Sequence, residues 1–171
     1  MAKILIAYFS RADENYVNGD IVTLPKGNTE IVAEFIQKAV GGDLFKIEPA
    51  KAYPVDYNEC TIVAKDELHA QARPELKNYL GSVLEYDTIF LGFPCYWSYP
   101  PMSVATFLER YDFSGKKIIP FTTHEGSGFG SSVGFIKKLT PGATLKPGLA
   151  IHGAEAARSE SQAANFAKSS I

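Results

Sequence analysis

The chain has 171 residues, 46% of them hydrophobic, 21% charged and 12% aromatic, with a net charge of -2 and a pI of about 5.9. That size and balance fit one globular domain with a sizeable core and exclude a disordered chain. There is no polybasic run to suit nucleic acid, and no apolar run approaches the roughly 20 residues of a membrane span.

The first residues pass at once into a strand pattern without a signal-peptide layout, so a cytoplasmic location is expected. Two cysteines, Cys60 and Cys95, make neither a metal site nor a disulfide framework.

Residues 3–9 (KILIAYF) form a continuous apolar run, the pattern of a central strand covered on both faces. A polar segment leads to Asn28 and Thr29, either of which can cap a helix over residues 30–40. Its apolar positions 31, 32, 35, 36, 39 and 40 recur at helical spacing, and Gly41-Gly42 ends it. Residues 44–48 alternate and predict a second strand nearer an edge. Residues 50–56 are loop, and 57–72 predict a polar surface helix, with a turn at 74–76 packing against the segment that follows.

Residues 88–93 (TIFLGF) predict a third strand, and 102–111 a helix. Residues 116–123 predict a fourth strand, whose Pro120 belongs near a bulge or on the less-bonded side. A glycine-rich loop, a short helix over 132–139, a fifth strand over 145–152 and a helix over 154–167 complete the chain. Five strands separated by helices predict a parallel sheet with helices on both faces, in a single α/β domain spanning residues 1–171.

In such a sheet ligands bind beyond the carboxyl ends of the strands, which selects three loops. The first ends in Gly27-Asn28-Thr29 at a helix start, where unpaired N–H groups and the helix dipole suit a phosphate; Ser10 and Thr29 add hydroxyls and Arg11 a cation. Taken alone it is more often a plain helix cap that binds nothing. The second, PCYWSYPP over residues 94–101, is an aromatic corner stiffened by prolines, suited to stack on a planar ring or to plug a core. The third, TTHEGSGFGS over 122–131, can form a nest of backbone N–H groups or serve as a connector. A phosphate at the first loop and a flat ring between the other two describe a mononucleotide.

Together, Phe9-Ser10 with Gly27-Asn28-Thr29, the corner Gly92-Phe-Pro-Cys-Tyr-Trp97, and Thr122-Thr-His-Glu-Gly126 resemble the flavodoxin family, over nearly the whole chain. The resemblance implies a flavodoxin-like three-layer sandwich, its five-stranded parallel sheet ordered 2-1-3-4-5, with FMN as cofactor. It implies that Ser10, Arg11, Asn28 and Thr29 hold the FMN phosphate. Pro94, Cys95, Tyr96 and Trp97 would face the isoalloxazine, with Tyr96 or Trp97 stacking. Thr123, His124, Glu125, Gly126 and Gly128 would close the other side. The implied function is electron transfer to a redox partner protein or a small-molecule acceptor. An NAD(P)H-dependent FMN oxidoreductase of the quinone reductase type and a non-redox nucleotide-binding module are the alternatives, as a monomer or homodimer.

Two features depart from the family pattern. The segment 12–26 separates Ser10-Arg11 from Gly27, and its Asn18-Gly19 is a hairpin signal, so it should leave the domain and return. The net charge of -2 is weak for steering toward basic partners. Flavodoxins commonly meet the proton gained on one-electron reduction with a backbone carbonyl that flips beside a glycine. Residues 95–102 hold no glycine, so the flavin is expected to work as a two-electron centre.

The motif Gly130-Ser-Ser-Val-Gly134 matches a hydrolase nucleophile elbow in letters only. Ser132 does not follow the strand directly, and no Asp or Glu lies between it and His152. Neither the G-x-G-x-x-G nor the Walker pattern occurs.

Overall fold

The computed structural model describes residues 3–171. Its main sheet contains β1 (Ile4–Tyr8), β4 (Asp43–Lys46), β5 (Thr88–Pro94), β6 (Lys117–His124), β7 (Thr144–Leu145) and β8 (Leu149–His152). The order is β4-β1-β5-β6, with β7 and β8 both paired to the far side of β6, and all these pairings are parallel. This is the expected 2-1-3-4-5 order, with the fifth strand in two pieces.

The break in that strand has a local cause. Ile118 pairs with Leu145 but Phe121 pairs with Leu149, so β6 advances three residues while its neighbour advances four. The extra residue falls at Lys146-Pro147-Gly148, opposite Pro120. Gly148 lies so close to Pro120 that a Cβ there would stand 2.6 Å from the Pro120 carbonyl oxygen. Pro120 is thus in a continuous strand beside a bulge, as a residue without an N–H requires.

Alternation along β1 sets the layers. Ile4, Ile6 and Tyr8 face a cluster with Val32 and Ile36 of α1 (Asn28–Val40) and Ala163 and Ala167 of α5 (Glu160–Ser170). Leu5 and Ala7 face the opposite cluster, with Val104, Phe107 and Leu108 of α3 (Met102–Arg110) and Ile136 of α4 (Ser132–Leu139). Both faces of the sheet are covered, which explains strands that read as unbroken apolar runs.

Several expectations needed adjustment. The helix predicted over 57–72 is α2 (Tyr57–His69), capped by the Asp56 side chain, which accepts from the Glu59 N–H at 2.9 Å. The last predicted helix is divided into a 3-10 turn (Gly153–Arg158) and α5. At the junction Ser159 turns its hydroxyl back to the Ala156 carbonyl, 2.7 Å away. The segment 12–26 does leave and return: β2 (Asp13–Val17) and β3 (Asp20–Leu24) form an antiparallel hairpin of their own, separate from the main sheet. Its turn is Asn18-Gly19, with φ of 50° and 89°, the left-handed pair of a type I′ turn. Among the described residues no helix is long and apolar enough to cross a membrane, and no cluster of metal-ligating side chains occurs.

Candidate functional site

The first loop packs closely before it can do anything else. Gly27, not Asn28 or Thr29, is the N-cap of α1. A Cβ on Gly27 would stand 2.1 Å from Ser10 Oγ and 2.7 Å from the Arg11 carbonyl oxygen, so only glycine fits. Ser10, at the end of β1, supplies the cap that glycine lacks: its Oγ accepts from the Glu30 N–H at 3.1 Å. Thr29 Oγ1 meets Thr123 Oγ1 at 2.8 Å, both buried, which fastens the helix start to the end of β6. Arg11 points along the root of the hairpin. Its guanidinium donates to the carbonyls of Pro54 and Val55, each at 2.7 Å, and to that of Glu14.

The aromatic corner is a tight turn. Tyr96 N–H donates to the Tyr99 carbonyl at 2.7 Å and Tyr99 N–H returns a bond at 3.1 Å, with Trp97 and Ser98 between them at φ of 53° and 71°. This is a type I′ pair made without glycine, at about 1–2 kcal/mol of strain per residue. Two residues of the glycine-free stretch 95–102 thus already stand at positive φ. The third loop holds them. Ser131 N–H donates to the Ser98 carbonyl at 2.7 Å, and a Cβ on Gly130 would fall 2.8 Å from Ser98 Cα. Cys95 is pinned likewise, its N–H donating to the Thr123 carbonyl at 3.0 Å.

The rings of the corner divide. Tyr96 turns inward, edge-on to Phe9 at 5.9 Å and to Tyr53 at 6.1 Å, and burial pushes its hydroxyl well above the usual tyrosine range. Trp97 stays half exposed at the rim, its Nε1–H donating to the Thr61 carbonyl at 2.9 Å and the Lys65 ammonium 5.1 Å from its ring centre.

On the third loop His124 Nδ1 accepts from the Gly126 N–H at 2.9 Å, which leaves Nε2 as the protonated nitrogen of a neutral ring. Partial burial and the neighbouring His152 ring, 5.6 Å away, pull the His124 pKa below its ordinary value, with Glu125 opposing. Glu125 Oε2 lies 3.7 Å from His152 Nε2 and accepts from the Asn18 N–H at 3.2 Å.

These segments surround one cavity of about 540 Å³. Of the residues singled out from the sequence, Arg11, Asn28, Pro94, Cys95, Tyr96, Trp97, Thr123, His124 and Glu125 line it. Ser10 and Thr29 instead sit beneath its wall as helix fasteners, and Gly126 and Gly128, at φ of 133° and 59°, shape the loop around it. The sequence reading missed a whole side: Asn15 and Tyr16 of the hairpin, and Tyr57, Cys60, Thr61 and Ala64 of α2. The α2 positions fall at i, i+3, i+4 and i+7, which puts them on one face of the helix. Ser132, the decoy nucleophile, does not line the cavity, and its buried hydroxyl has no hydrogen-bond partner among the described residues.

A family profile described as Flavodoxin matches residues 3–166. The chain belongs to the flavodoxin family. A solved Bacteroides uniformis structure assigned as a flavoprotein is 31% identical, with 98% of each chain covered and a TM-score of 0.76. A Bacteroides eggerthii counterpart is 30% identical, covering 99% of this chain and 98% of its own, at a TM-score of 0.78. A Lactobacillus acidophilus flavoprotein in complex with FMN shares the fold at 20% identity and a TM-score of 0.64, with 92% and 98% covered. A search of curated proteins finds no match. In this chain the loop after β1 carries the β2–β3 hairpin, whose tip reaches the loop after β6.

Proposed function

We propose that the chain binds FMN in this cavity and mediates electron transfer through it. The observation that carries the reading is the convergence of three loops, after β1, β5 and β6, on one cavity of about 540 Å³, within the usual range for a cofactor site. The residues present fit the group. Asn28, the first residue of α1, lines the cavity, so the helix start presents its N–H groups and dipole to a phosphate. The rigid turn 96–99 offers flat rings, and the glycine-rich loop after β6 supplies adaptable N–H groups.

FMN supplies the redox chemistry, accepting and releasing one or two electrons. The protein's residues position it. Asn28 and the first N–H groups of α1 would meet the phosphate, with Ser10 and Thr29 holding that helix start in place. Tyr96 or Trp97 would lie against the ring system. His124, neutral and lining the cavity, keeps Nε2–H as a donor for a carbonyl or an anionic ring edge. Arg11 contributes its positive charge while its guanidinium holds the hairpin root.

The hairpin favours small-molecule acceptors over a protein partner. It crosses the mouth from the first loop to Glu125 of the third, which leaves less cofactor edge for a protein to dock on. A net charge of -2 also offers little steering. An NAD(P)H-dependent oxidoreductase acting on small acceptors is thus the specific form supported here.

The purified protein should be yellow, with an FMN absorption band, and should bind added FMN once stripped. Protein that stays colourless and leaves FMN fluorescence unchanged would remove the reading and leave a non-redox nucleotide module. NADPH oxidation with a quinone and no added protein would separate the oxidoreductase from the carrier.

A further inference from the structure

We propose that Tyr16 of the hairpin and Tyr57 of α2 form a platform that binds a planar, uncharged aromatic carbonyl compound of the quinone class. The proposal rests on the FMN reading above and assigns the opposite wall of the same cavity to the acceptor.

The two rings are stacked, with centroids 5.9 Å apart and planes 30° from parallel, and both line the cavity. Tyr16 remains 41% exposed, so one face of the pair is open. Neither residue belongs to the loops after β5 or β6, although α2 also anchors the Trp97 indole through the Thr61 carbonyl. A two-stranded hairpin is marginal by itself, so holding one over a cavity needs specific anchors. Three are present: Arg11 to the Pro54 and Val55 carbonyls, Tyr57 N–H to Glu14 Oε1 at 2.9 Å, and Asn18 N–H to Glu125. Two of these fix the hairpin against the segment that begins α2, which sets the Tyr16 ring against Tyr57.

The chemistry of the wall selects the ligand. Its lining is two phenol rings, a threonine, an asparagine amide and the largely buried side chains of Cys60 and Ala64. Arg11, the cation that lines the cavity, directs its guanidinium N–H groups to three backbone carbonyls at the hairpin root rather than toward a ligand on this wall. A flat uncharged ring gains from stacking, and the Tyr57 hydroxyl, held protonated by burial, can donate to a carbonyl oxygen.

The test is equilibrium dialysis of 1,4-naphthoquinone against the FMN-loaded protein, beside FMN titration of the stripped protein. Wild type should bind the quinone. Tyr16→Ala should weaken it about tenfold, near the upper worth of one aromatic pair, with FMN affinity unchanged. Tyr16→Phe should retain binding, and circular dichroism should show both variants folded. No quinone binding by FMN-loaded wild type would overturn the platform, as would equal loss of FMN and quinone affinity in Tyr16→Ala, which would give these rings to the flavin. Quinone affinity unchanged in Tyr16→Ala would also overturn it. Quinone binding that persists in protein unable to bind FMN would spare the platform and remove the FMN reading instead.

Discussion

The backbone N–H of Asn18 donates to Glu125 Oε2 at 3.2 Å across 107 residues of sequence, so the tip of the hairpin is fastened to the loop after β6. The bond is exposed, so its net worth is about 1 kcal/mol or less. It is the contact by which the hairpin tip meets the third loop. Glu125→Ala should leave the urea midpoint almost unchanged and raise amide exchange and protease cleavage at Asn18-Gly19. Cleavage equal to wild type would show that the hairpin root alone holds it.

His124 makes the site acid-sensitive. Its folded pKa lies below the ordinary 6.5, chiefly through burial and next through His152. Folding stability is therefore full above about 6.5 and falls as the pH drops through that value toward the lower folded one, because the unfolded chain binds the proton more readily. Protonation also turns Nδ1 into a donor facing the Gly126 N–H, which breaks the 2.9 Å bond. Thermal midpoints should decline from pH 7 to pH 5, and His124→Gln should flatten that slope. An equal slope in the variant would place the titration elsewhere.

Gly27→Ala should be costly for steric reasons alone, since Gly27 has an ordinary φ of -66°. The added methyl would collide with Ser10 Oγ and the Arg11 carbonyl, which belong to the end of β1 and cannot retreat freely. A loss of about 1–3 kcal/mol is expected from overpacking, read in urea denaturation, together with weaker FMN retention as the helix start shifts away from β1. Retained stability and FMN binding would show that the loop relaxes without harm.

The sheet was legible because its information is local. Unbroken apolar runs in β1, β5 and β6 mark strands covered on both faces, and their alternation with helices predicts a parallel sheet, while the strand order was implied by the family resemblance. The Asn18-Gly19 turn was legible for the same reason. The far wall of the cavity was not. Tyr57, Cys60, Thr61 and Ala64 looked like part of a polar surface helix, since they become a cavity wall only when the hairpin lies nearby. The hairpin is placed by Arg11 bonding carbonyls 43 and 44 residues away and by Glu14 capping the Tyr57 N–H, contacts that leave no spacing signal. The turn 96–99 was half legible: aromatic stiffness showed in the letters, but left-handed backbone at Trp97 and Ser98 comes from Gly130 and Ser131 clamping it from outside.

That clamp bears on how electrons are handled. Flipping the Trp97–Ser98 peptide would turn the type I′ turn into type II′, returning Ser98 to negative φ. Trp97 would then combine positive φ with extended ψ, a region that glycine alone enters freely, so the flip is opposed by about 1–2 kcal/mol or more. Two-electron behaviour is therefore predicted on a different footing: the turn already holds positive φ and is clamped there. Reductive titration of the FMN-loaded protein should pass from oxidised to reduced spectrum through a single set of isosbestic points. Trp97→Gly, which frees the flip, should break that simplicity with a long-wavelength band at half reduction. A band of that kind in wild type would show that the turn yields, and its absence in Trp97→Gly would mean that the peptide at Trp97–Ser98 does not govern the split between one and two electrons.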